Sequence, residues 1–263
     1  MSALNIAHFS ATQVVNEDFL NEDSNSAMFA LWSLRLFNQP QYFKQLLDGA
    51  KSHKEVKDHT VRCVLGLHSL EKNEGMSTEQ YLKALQEPAR KVLHRLEIAK
   101  PQFNGALRDN LNALQAALKL NDAEVMLLGM TGDIRNLSAQ VFTEFLNYFG
   151  ELNNKKAFDM LAVMLDIKSS EVTQMLSPKS ALSQSGLLKM DPDPLMPLPL
   201  KLELMDGLAI ALGSQFDSPL ELLNQFFSVS QPGLLTLEDF VHLSKQGQTI
   251  INYIRNRPEK AGV

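Results

Sequence analysis

Over most of the chain, apolar residues recur every three to four positions, which is the pattern of amphipathic helices. The segment 103–118 is the clearest case, because its apolar positions include Leu107, Leu111, Leu114 and Leu118. Helix starts are marked too. Gln80 follows Ser77 by three residues and Glu124 follows Asn121 by three, and both spacings are those of a capping box. The sequence therefore predicts a mainly α protein.

One region departs from the helical spacing and alternates with a period of two. Gly186 is expected to end a short helix, and the segments 187–191 and 198–204 then predict two strands. Pro199 has no N–H, so it should lie on an edge or where the ladder needs no donor. One face of this hairpin is apolar and consists of Leu188, Met190, Leu198, Leu200, Leu202 and Leu204.

Several short helices followed by a two-stranded hairpin is the order of a winged-helix domain, in which the hairpin is the wing. A lone hairpin is marginally stable in water, so its leucine face should pack on the helices. We predict a multi-helical domain at 1–118, a winged-helix-like domain at 119–205, and a C-terminal helical linker at 206–263. Within the linker, Thr236 opens a helix through a weak capping box.

Net charge, cysteine content and the length of apolar runs limit which classes of protein this chain can belong to. The chain has 263 residues with 25 Lys and Arg against 30 Asp and Glu, so its net charge of −5 gives no general attraction to nucleic acid or anionic membranes. Its one cysteine, Cys63, cannot form an internal disulfide, which fits a reducing compartment. The sequence shows no secretory signal and no apolar run long enough for a membrane span. We expect a soluble cytoplasmic protein.

Candidate catalytic and metal-binding patterns are weak. His59 and Cys63 are four residues apart, with His53 and His68 nearby, but no second metal-ligand pair accompanies them, so ordinary packing is favoured. The GMTG stretch at 129–132 has the spacing of some nucleic-acid modules, yet we expect it to end a helix. Neither a phosphate-binding loop nor a nucleophile elbow occurs. No catalytic, cofactor-binding or metal-binding residue is predicted.

The chain has one basic cluster, whose members are Arg90, Lys91, His94, Arg95 and Lys100. Lys91, His94 and Arg95 would share a helix face, which makes them a candidate contact for phosphate or an acidic partner, although a solvated face is the simpler interpretation. The segment 119–205 has eight Lys and Arg against eleven Asp and Glu, a net of 8 − 11 = −3. Because phosphate neutralisation supplies most of the affinity for DNA, this charge favours a protein partner.

A family resemblance is visible at this point. The stretch SPKSALSQSGLLKMD (177–191), followed by a leucine-alternating strand and DGLAIAL (206–212), resembles the winged-helix segment that precedes the ATPase module in a group of bacterial AAA-family ATPases. The segment 235–256 resembles the helix that leads into the nucleotide-binding core. RPEKAGV (257–263) looks like the linker before the first core strand. The resemblance covers 119–263.

The resemblance implies a non-catalytic regulatory and recognition region, which binds a partner or substrate protein or a neighbouring subunit. The family's Walker A loop, Walker B acids, sensor residue and arginine finger have no counterpart in these residues, so no catalytic residue is carried over. ATP, Mg²⁺ and homo-oligomers are expected only if an ATPase module follows Val263. Two alternatives stay open: a stand-alone helical adaptor with a protein-binding winged helix, and a winged-helix protein that binds nucleic acid.

Overall fold

The helix α1 (Ser24–Asn38) is enclosed by protein on nearly all sides. It belongs to a computed structural model that describes residues 24–51, 56–135 and 139–226, together with Thr249 and Asn252. Trp32 and Phe37 of α1 are among the largest fully buried side chains. A helix that is apolar on almost every face has to be buried. It packs between α5 (Gln86–Ala99) and α9 (Asn154–Leu165).

The described residues form fourteen helices and two small antiparallel sheets, which confirms the mainly α prediction. The remaining helices are α2 (Pro40–Lys51), α3 (Asp58–Val64), α4 (Thr78–Ala84), α6 (Gly105–Leu118), α7 (Asp122–Ile134), α8 (Gln140–Asn147), α10 (Ser169–Met175), α11 (Ala181–Gln184), α12 (Leu198–Lys201), α13 (Leu208–Gly213) and α14 (Pro219–Asn224). The strands are β1 (Glu151–Leu152), β2 (Leu188–Met190), β3 (Met196–Pro197) and β4 (Leu202–Leu204).

Both predicted capping boxes are present. Before α4, the amide of Gln80 donates to Ser77 Oγ at 3.2 Å and the amide of Ser77 donates to Gln80 Oε1 at 3.0 Å. Before α7, Asn121 and Glu124 exchange the same two bonds at 2.9 Å each. These bonds satisfy amides that the first turn of a helix leaves without a partner. The sequence therefore placed these two helix starts correctly.

Pro88 is expected to kink or divide the helix that Ser77 opens, and the structure shows two helices there. α4 ends at Ala84 and α5 begins at Gln86, so Pro88 lies in the first turn of α5. In that turn the missing proline N–H breaks no intrahelical hydrogen bond. Pro88 is buried there.

The predicted second strand is confirmed only in part. β4 covers Leu202–Leu204 and pairs antiparallel with β2, with Met190 opposite Leu202. The strand prediction is wrong for residues 198–201, which form the helical turn α12, and β3 before it pairs with β1 instead. The physical reason is proline: Pro197 and Pro199 suit the start of a helical turn, where N–H groups are not needed, and cannot donate to a ladder.

The change from strand to helical turn alters which leucines are inside. Leu198 and Leu202 are buried, as is Leu188 of β2. Leu200 is 53% exposed, so the uniform leucine face that we predicted for 198–204 does not form. Met190 and Leu204 are half-buried on the paired strands. Gly186 ends the α11 turn with a positive φ of 72°, a backbone conformation that glycine adopts without strain.

The GMTG stretch does not end a helix. α7 continues through Gly129 and Gly132 to Ile134, and both glycines are buried. A Cβ atom on Gly129 would lie 2.5 Å from the Phe103 ring, and one on Gly132 would lie 2.9 Å from Leu212 Cδ1. The prediction of a C-terminal break is wrong, because these glycines lie within α7 and allow it to pack closely against Phe103 and Leu212.

Helix α13 is fastened to α6 by one buried amide. Asn110 of α6 donates from Nδ2 to the carbonyls of Ala211, Leu212 and Ser214, at 3.1, 3.0 and 2.7 Å. Carbonyls at the end of a helix have no intrahelical partner, so the Asn110 side chain caps α13 from a distant part of the sequence. This contact fixes α13 against α6.

The described residues up to Leu222 form one compact unit. The predicted boundaries at 118 and 205 stay predictions. The helix expected at Thr236 and the linker at 257–263 lie outside the described residues. Within the described residues, no helix is long and apolar enough to cross a membrane.

Candidate functional site

Two cationic side chains bind main-chain carbonyls in the hairpin, which consists of β2, β4 and the segment between them. Lys201 of α12 is fully buried, and its Nζ donates to the carbonyl of Asp191 at 3.2 Å and also to that of Asp193. Arg135 donates from Nη2 to the carbonyl of Leu202 at 2.7 Å. Bonds from a charged donor are stronger than neutral ones. The backbone of this hairpin is therefore fixed from inside.

The loop between the strands is also fixed by its own aspartates. The amide of Asp193 donates to Asp191 Oδ1 at 2.7 Å, and the amide of Leu195 donates to Asp193 Oδ1 at 2.8 Å. These are Asx turns, in which a side chain replaces a backbone acceptor. Together with Pro192 and Pro194, they restrict a loop that would otherwise sample many conformations.

Aliphatic side chains of this loop, of α12 and of α13 are exposed to solvent. Leu195 is 67% exposed, Leu200 is 53% exposed, and Ile210 of α13 is 75% exposed. A cavity of about 570 Å³ lies between β4 and α13, and its lining includes Glu203, Asp206 and Ile210. We call Leu195, Leu200, Glu203, Asp206 and Ile210 the hairpin surface. It combines exposed aliphatic side chains with acidic ones.

The candidate basic contact face lies on α5. Lys91, His94 and Arg95 are all exposed there, on the same side of the helix as expected. Lys91 Nζ lies 3.6 Å from Glu87 Oε1 one turn earlier. Exposed pairs of this kind contribute little to stability. A contact of this face with a partner stays a prediction.

The His59 and Cys63 pair is adjacent on α3, as the spacing predicts. Cys63 Sγ lies 3.6 Å from His59 Nε2. Burial raises the pKa of the Cys63 thiol, which keeps it protonated, and burial lowers the pKa of His68. His53 lies outside the described residues. Within the described ranges, no three metal-ligating side chains come together.

A second polar centre, which the sequence interpretation missed, lies at the end of α1. Arg35 is largely buried, with a side chain that is 17% exposed. Its Nη1 donates to the carbonyl of Met164 at 2.7 Å. Its Nε lies 3.6 Å from Glu97 Oε1, and its Nη2 lies 3.7 Å from Asp166 Oδ2. We call Arg35, Glu97 and Asp166 the Arg35 cluster, and it joins α1, α5 and the end of α9.

Two cavities open beside the Arg35 cluster. One measures about 380 Å³ and reaches the core side chains Met28, Trp32 and Leu165. The other measures about 600 Å³ and is lined by polar side chains that include Asp159 and Ser169. Ser169 Oγ donates to Asp159 Oδ1 at 2.7 Å. The three residues of the Arg35 cluster line both cavities.

The sequence carried one signal for this centre. In the run SAMFALWSLRLF, Arg35 is the only charged residue among apolar neighbours. A charged residue inside a helix that is apolar all round has to find polar partners. The partners themselves, Glu97 and Asp166, are far away in sequence and could not be identified from it.

Comparison with protein-family models, with curated proteins and with solved structures finds no match to this chain. The function is therefore argued from the geometry of the hairpin surface and the Arg35 cluster, together with the sequence resemblance.

Proposed function

We propose that this chain is the non-catalytic recognition region of a AAA-type ATPase and that its hairpin surface contacts the protein that it recognises. The resemblance to such regions rests on the stretch 177–191, which forms α11, the Gly186 turn and β2. A winged-helix assignment of 119–205 belongs to the same proposal. The hairpin would be the wing, and α13 would support it from behind.

The observation that carries the proposal is the fixed presentation of Leu195 and Leu200. Both leucines are more than half exposed, yet the backbone beside them is held by the buried ammonium of Lys201. Side chains that are ordered before binding lose less entropy when a partner covers them. Exposed aliphatic side chains beside polar ones are candidates for contact with another protein.

The proposed link to an ATPase module is tested by reading the gene. If an ATPase module follows, the coding sequence after Val263 encodes a GxxxxGK[ST] loop within about fifty codons, which allows for a short linker and one strand. A reading frame without that loop would remove the ATPase from the proposal. The proposed protein contact of the hairpin surface would then be that of a stand-alone adaptor.

The proposed contact through the hairpin surface is tested by photo-cross-linking. A benzophenone amino acid replaces Leu195 in the full chain, and the control chain carries it at Ile98, which is 69% exposed on α5. We expect a discrete cross-linked protein from position 195 and none from position 98. The cross-linked protein is then purified and its affinity for the wild-type chain is measured.

Variants of the hairpin surface complete the test. We expect the double variant Leu195→Asp, Leu200→Asp to bind the purified partner at least about tenfold more weakly, since two apolar contacts are replaced by charges. Ile98→Asp is the matched control and should bind like the wild type. Equal affinity of all three chains would mean that the hairpin surface is not the contact.

A further inference from the structure

We propose that the smaller cavity beside Arg35 binds a free α-amino acid with an apolar side chain, such as leucine. We call this cavity, which lies between α1, α5 and α9, the Arg35 crevice. Nothing in the proposed partner contact requires it, and it is distinct from the hairpin surface. The inference rests on the shape of the crevice, the signs of the charges on its rim, and the hydrogen bonding of Arg35.

The crevice has the size and lining of a small-molecule site. Its volume is about 380 Å³, within the range of about 300–1,000 Å³ that ligand pockets occupy. Its inner wall is apolar and consists of Met28, Leu31, Trp32, Leu96, Met126 and Leu165. An aliphatic side chain is the chemical group that this wall suits.

The rim of the crevice carries two charges of each sign. Arg35 and Lys100 are cationic, whereas Glu97 and Asp166 are anionic. A phosphate or a dicarboxylate would meet the two carboxylates, and a polyamine would meet the two cations. A zwitterion, by contrast, presents a carboxylate and an ammonium close together. The balanced rim therefore selects a ligand with one group of each sign.

The guanidinium of Arg35 has spare donors in the direction of its carboxylate neighbours. A guanidinium carries five N–H groups, and the only hydrogen bond that Arg35 makes within the described residues goes to the Met164 carbonyl at 2.7 Å. Its buried Nε has no hydrogen-bond partner there, because Glu97 Oε1 is 3.6 Å away. The carboxylate of an amino acid could accept two parallel bonds from such a fork.

Two of the rim residues occupy a backbone conformation that side chains normally avoid. Lys100 ends α5 at φ 49°, and Asp166 ends α9 at φ 55°. Glycine is the usual residue at such helix ends, because any Cβ is strained there. Keeping a lysine and an aspartate in these positions places one charge of each sign beside the same crevice.

The geometry assigns a pose to the ligand. Its carboxylate faces Arg35 and Lys100, its ammonium faces Asp166 and Glu97, and its side chain lies over Met126 and Leu165, which are half-buried in the crevice wall. Each charged group of the ligand then has a partner of opposite sign, and the apolar side chain leaves water.

The chain contains a built-in probe for this site. Trp32 is its only tryptophan and lines the crevice, so a ligand bound there is expected to change its fluorescence. L-leucine is titrated into the full chain while Trp32 emission and binding heat are both recorded. We expect a saturable change with a dissociation constant on the order of 10 µM to 1 mM.

Two analogues test the need for both charges. 4-Methylpentanoate lacks the ammonium of leucine, and 3-methylbutylamine lacks its carboxylate. We expect each to bind at least about tenfold more weakly than leucine, since each lacks one of the two charged groups that the rim would contact. Equal binding of all three compounds would overturn the zwitterion assignment. Neither heat nor fluorescence change with leucine up to about 10 mM would overturn the site itself.

Variants with a matched control locate the ligand. Lys100→Gly and Asp166→Asn remove one charge each and fit the positive φ, so the fold should be retained. Lys119→Gly is the control, because Lys119 ends α6 in the same conformation at φ 55° but does not line the crevice. We expect leucine binding to fall at least about tenfold in the first two variants and to persist in the control. Unchanged binding in Lys100→Gly and Asp166→Asn would overturn the inference.

Discussion

The ammonium of Lys201 donates a hydrogen bond to the main-chain carbonyl of Asp193, eight residues earlier, although the Lys201 side chain is fully buried. It also donates to the carbonyl of Asp191 at 3.2 Å. A buried charge is tolerated only where polar groups replace its lost water. Here the loop carbonyls do so, and the loop is drawn against α12. The same hydrogen bonds thus compensate for the burial of the Lys201 ammonium and fix the backbone of the hairpin.

Replacing Lys201 by methionine should therefore loosen the hairpin. Lys201→Met keeps the volume of the side chain but removes the donor, and the two carbonyls lose a charge-assisted bond. We expect the free energy of unfolding to fall by about 1–3 kcal/mol in urea denaturation. Lys189→Met is the control: Lys189 is exposed on β2, and its replacement should cost less than about 0.5 kcal/mol. Equal losses in both variants would contradict the anchoring role.

The region 198–204 also shows how a period of two can mislead. Strict alternation placed Lys201 and Leu200 on opposite faces of a strand, with the leucine inside. In the helical turn α12 the successive side chains rotate by about 100° rather than 180°, so Lys201 points inward and Leu200 outward. The pattern of apolar and polar residues fits both conformations, and the prolines at 197 and 199 favour the helical turn.

Aspartate substitutions distinguish the two conformations. Leu200→Asp would be severely destabilising in the predicted strand, but Leu200 is half exposed, so we expect a change within about 0.5 kcal/mol. Leu202→Asp places an unpaired charge at a fully buried position and should cost several kcal/mol, on the order of 3–5. Thermal unfolding of the two variants beside the wild type measures the contrast. A large loss in Leu200→Asp would favour the strand.

Local signals predicted local structure. The capping boxes at Ser77 and Asn121, the helix division near Pro88 and the turn at Gly186 depend only on neighbouring residues, and each was predicted correctly. Arg35 behaves differently, because its partners Glu97 and Asp166 are brought to it by the packing of three helices. Which helices meet cannot be read from local patterns in one sequence. The hairpin was therefore predictable in outline, whereas the Arg35 crevice was not.

The nucleic-acid alternative can be tested on the basic face of α5. The segment 119–205 is net acidic, and Lys91 is already paired with Glu87. We expect no shift of duplex DNA or single-stranded RNA in a gel at about 50 mM salt, where phosphate contacts are strong. A shift that Lys91→Glu with Arg95→Glu abolishes, and that the control Arg108→Glu preserves, would support the alternative instead.

Acid should weaken the contact between α3 and α8. Glu144 of α8 lies 2.9 Å from Lys57 Nζ and accepts a hydrogen bond from Thr60 Oγ1 at 2.9 Å. The hydrogen bond from Lys57, followed by that from Thr60, holds the pKa of Glu144 below its usual value of 4.5. A lowered pKa in the folded state means that the contact stabilises the fold above pH 4.5. That stabilisation is lost as the pH falls through the folded-state pKa.

Glu144→Gln tests this pH dependence. The variant should be less stable than the wild type at about pH 7, and the difference should shrink at a second, acidic pH below the folded-state pKa of Glu144. Urea denaturation at both pH values gives the two free energies of unfolding. Glu74→Gln is the control, since Glu74 is exposed in the loop before α4, and it should follow the wild type. A difference for Glu144→Gln that does not change with pH would exclude the ionised contact as its source.

The glycines of α7 provide a graded test of helix packing. A Cβ on Gly129 would lie 2.5 Å from two atoms of the Phe103 ring and 2.8 Å from Leu111 Cδ1. One on Gly132 would meet only the flexible end of Leu212, at 2.9 Å. At Gly213, the last residue of α13, nothing lies within 4 Å of the added atom. Alanine favours a helix over glycine by up to about 1 kcal/mol, so the sign of each change depends on space.

We therefore expect the order Gly129→Ala, Gly132→Ala, Gly213→Ala, from least to most stable. Gly129→Ala should lower the free energy of unfolding by about 1–3 kcal/mol, because the Phe103 ring cannot move without disturbing the core. Gly132→Ala should lie between the two, since a leucine methyl can rotate away. Gly213→Ala should equal or slightly exceed the wild type. If α7 ended at Gly129, that glycine would be free of the core, and all three variants would have similar stabilities in chemical denaturation.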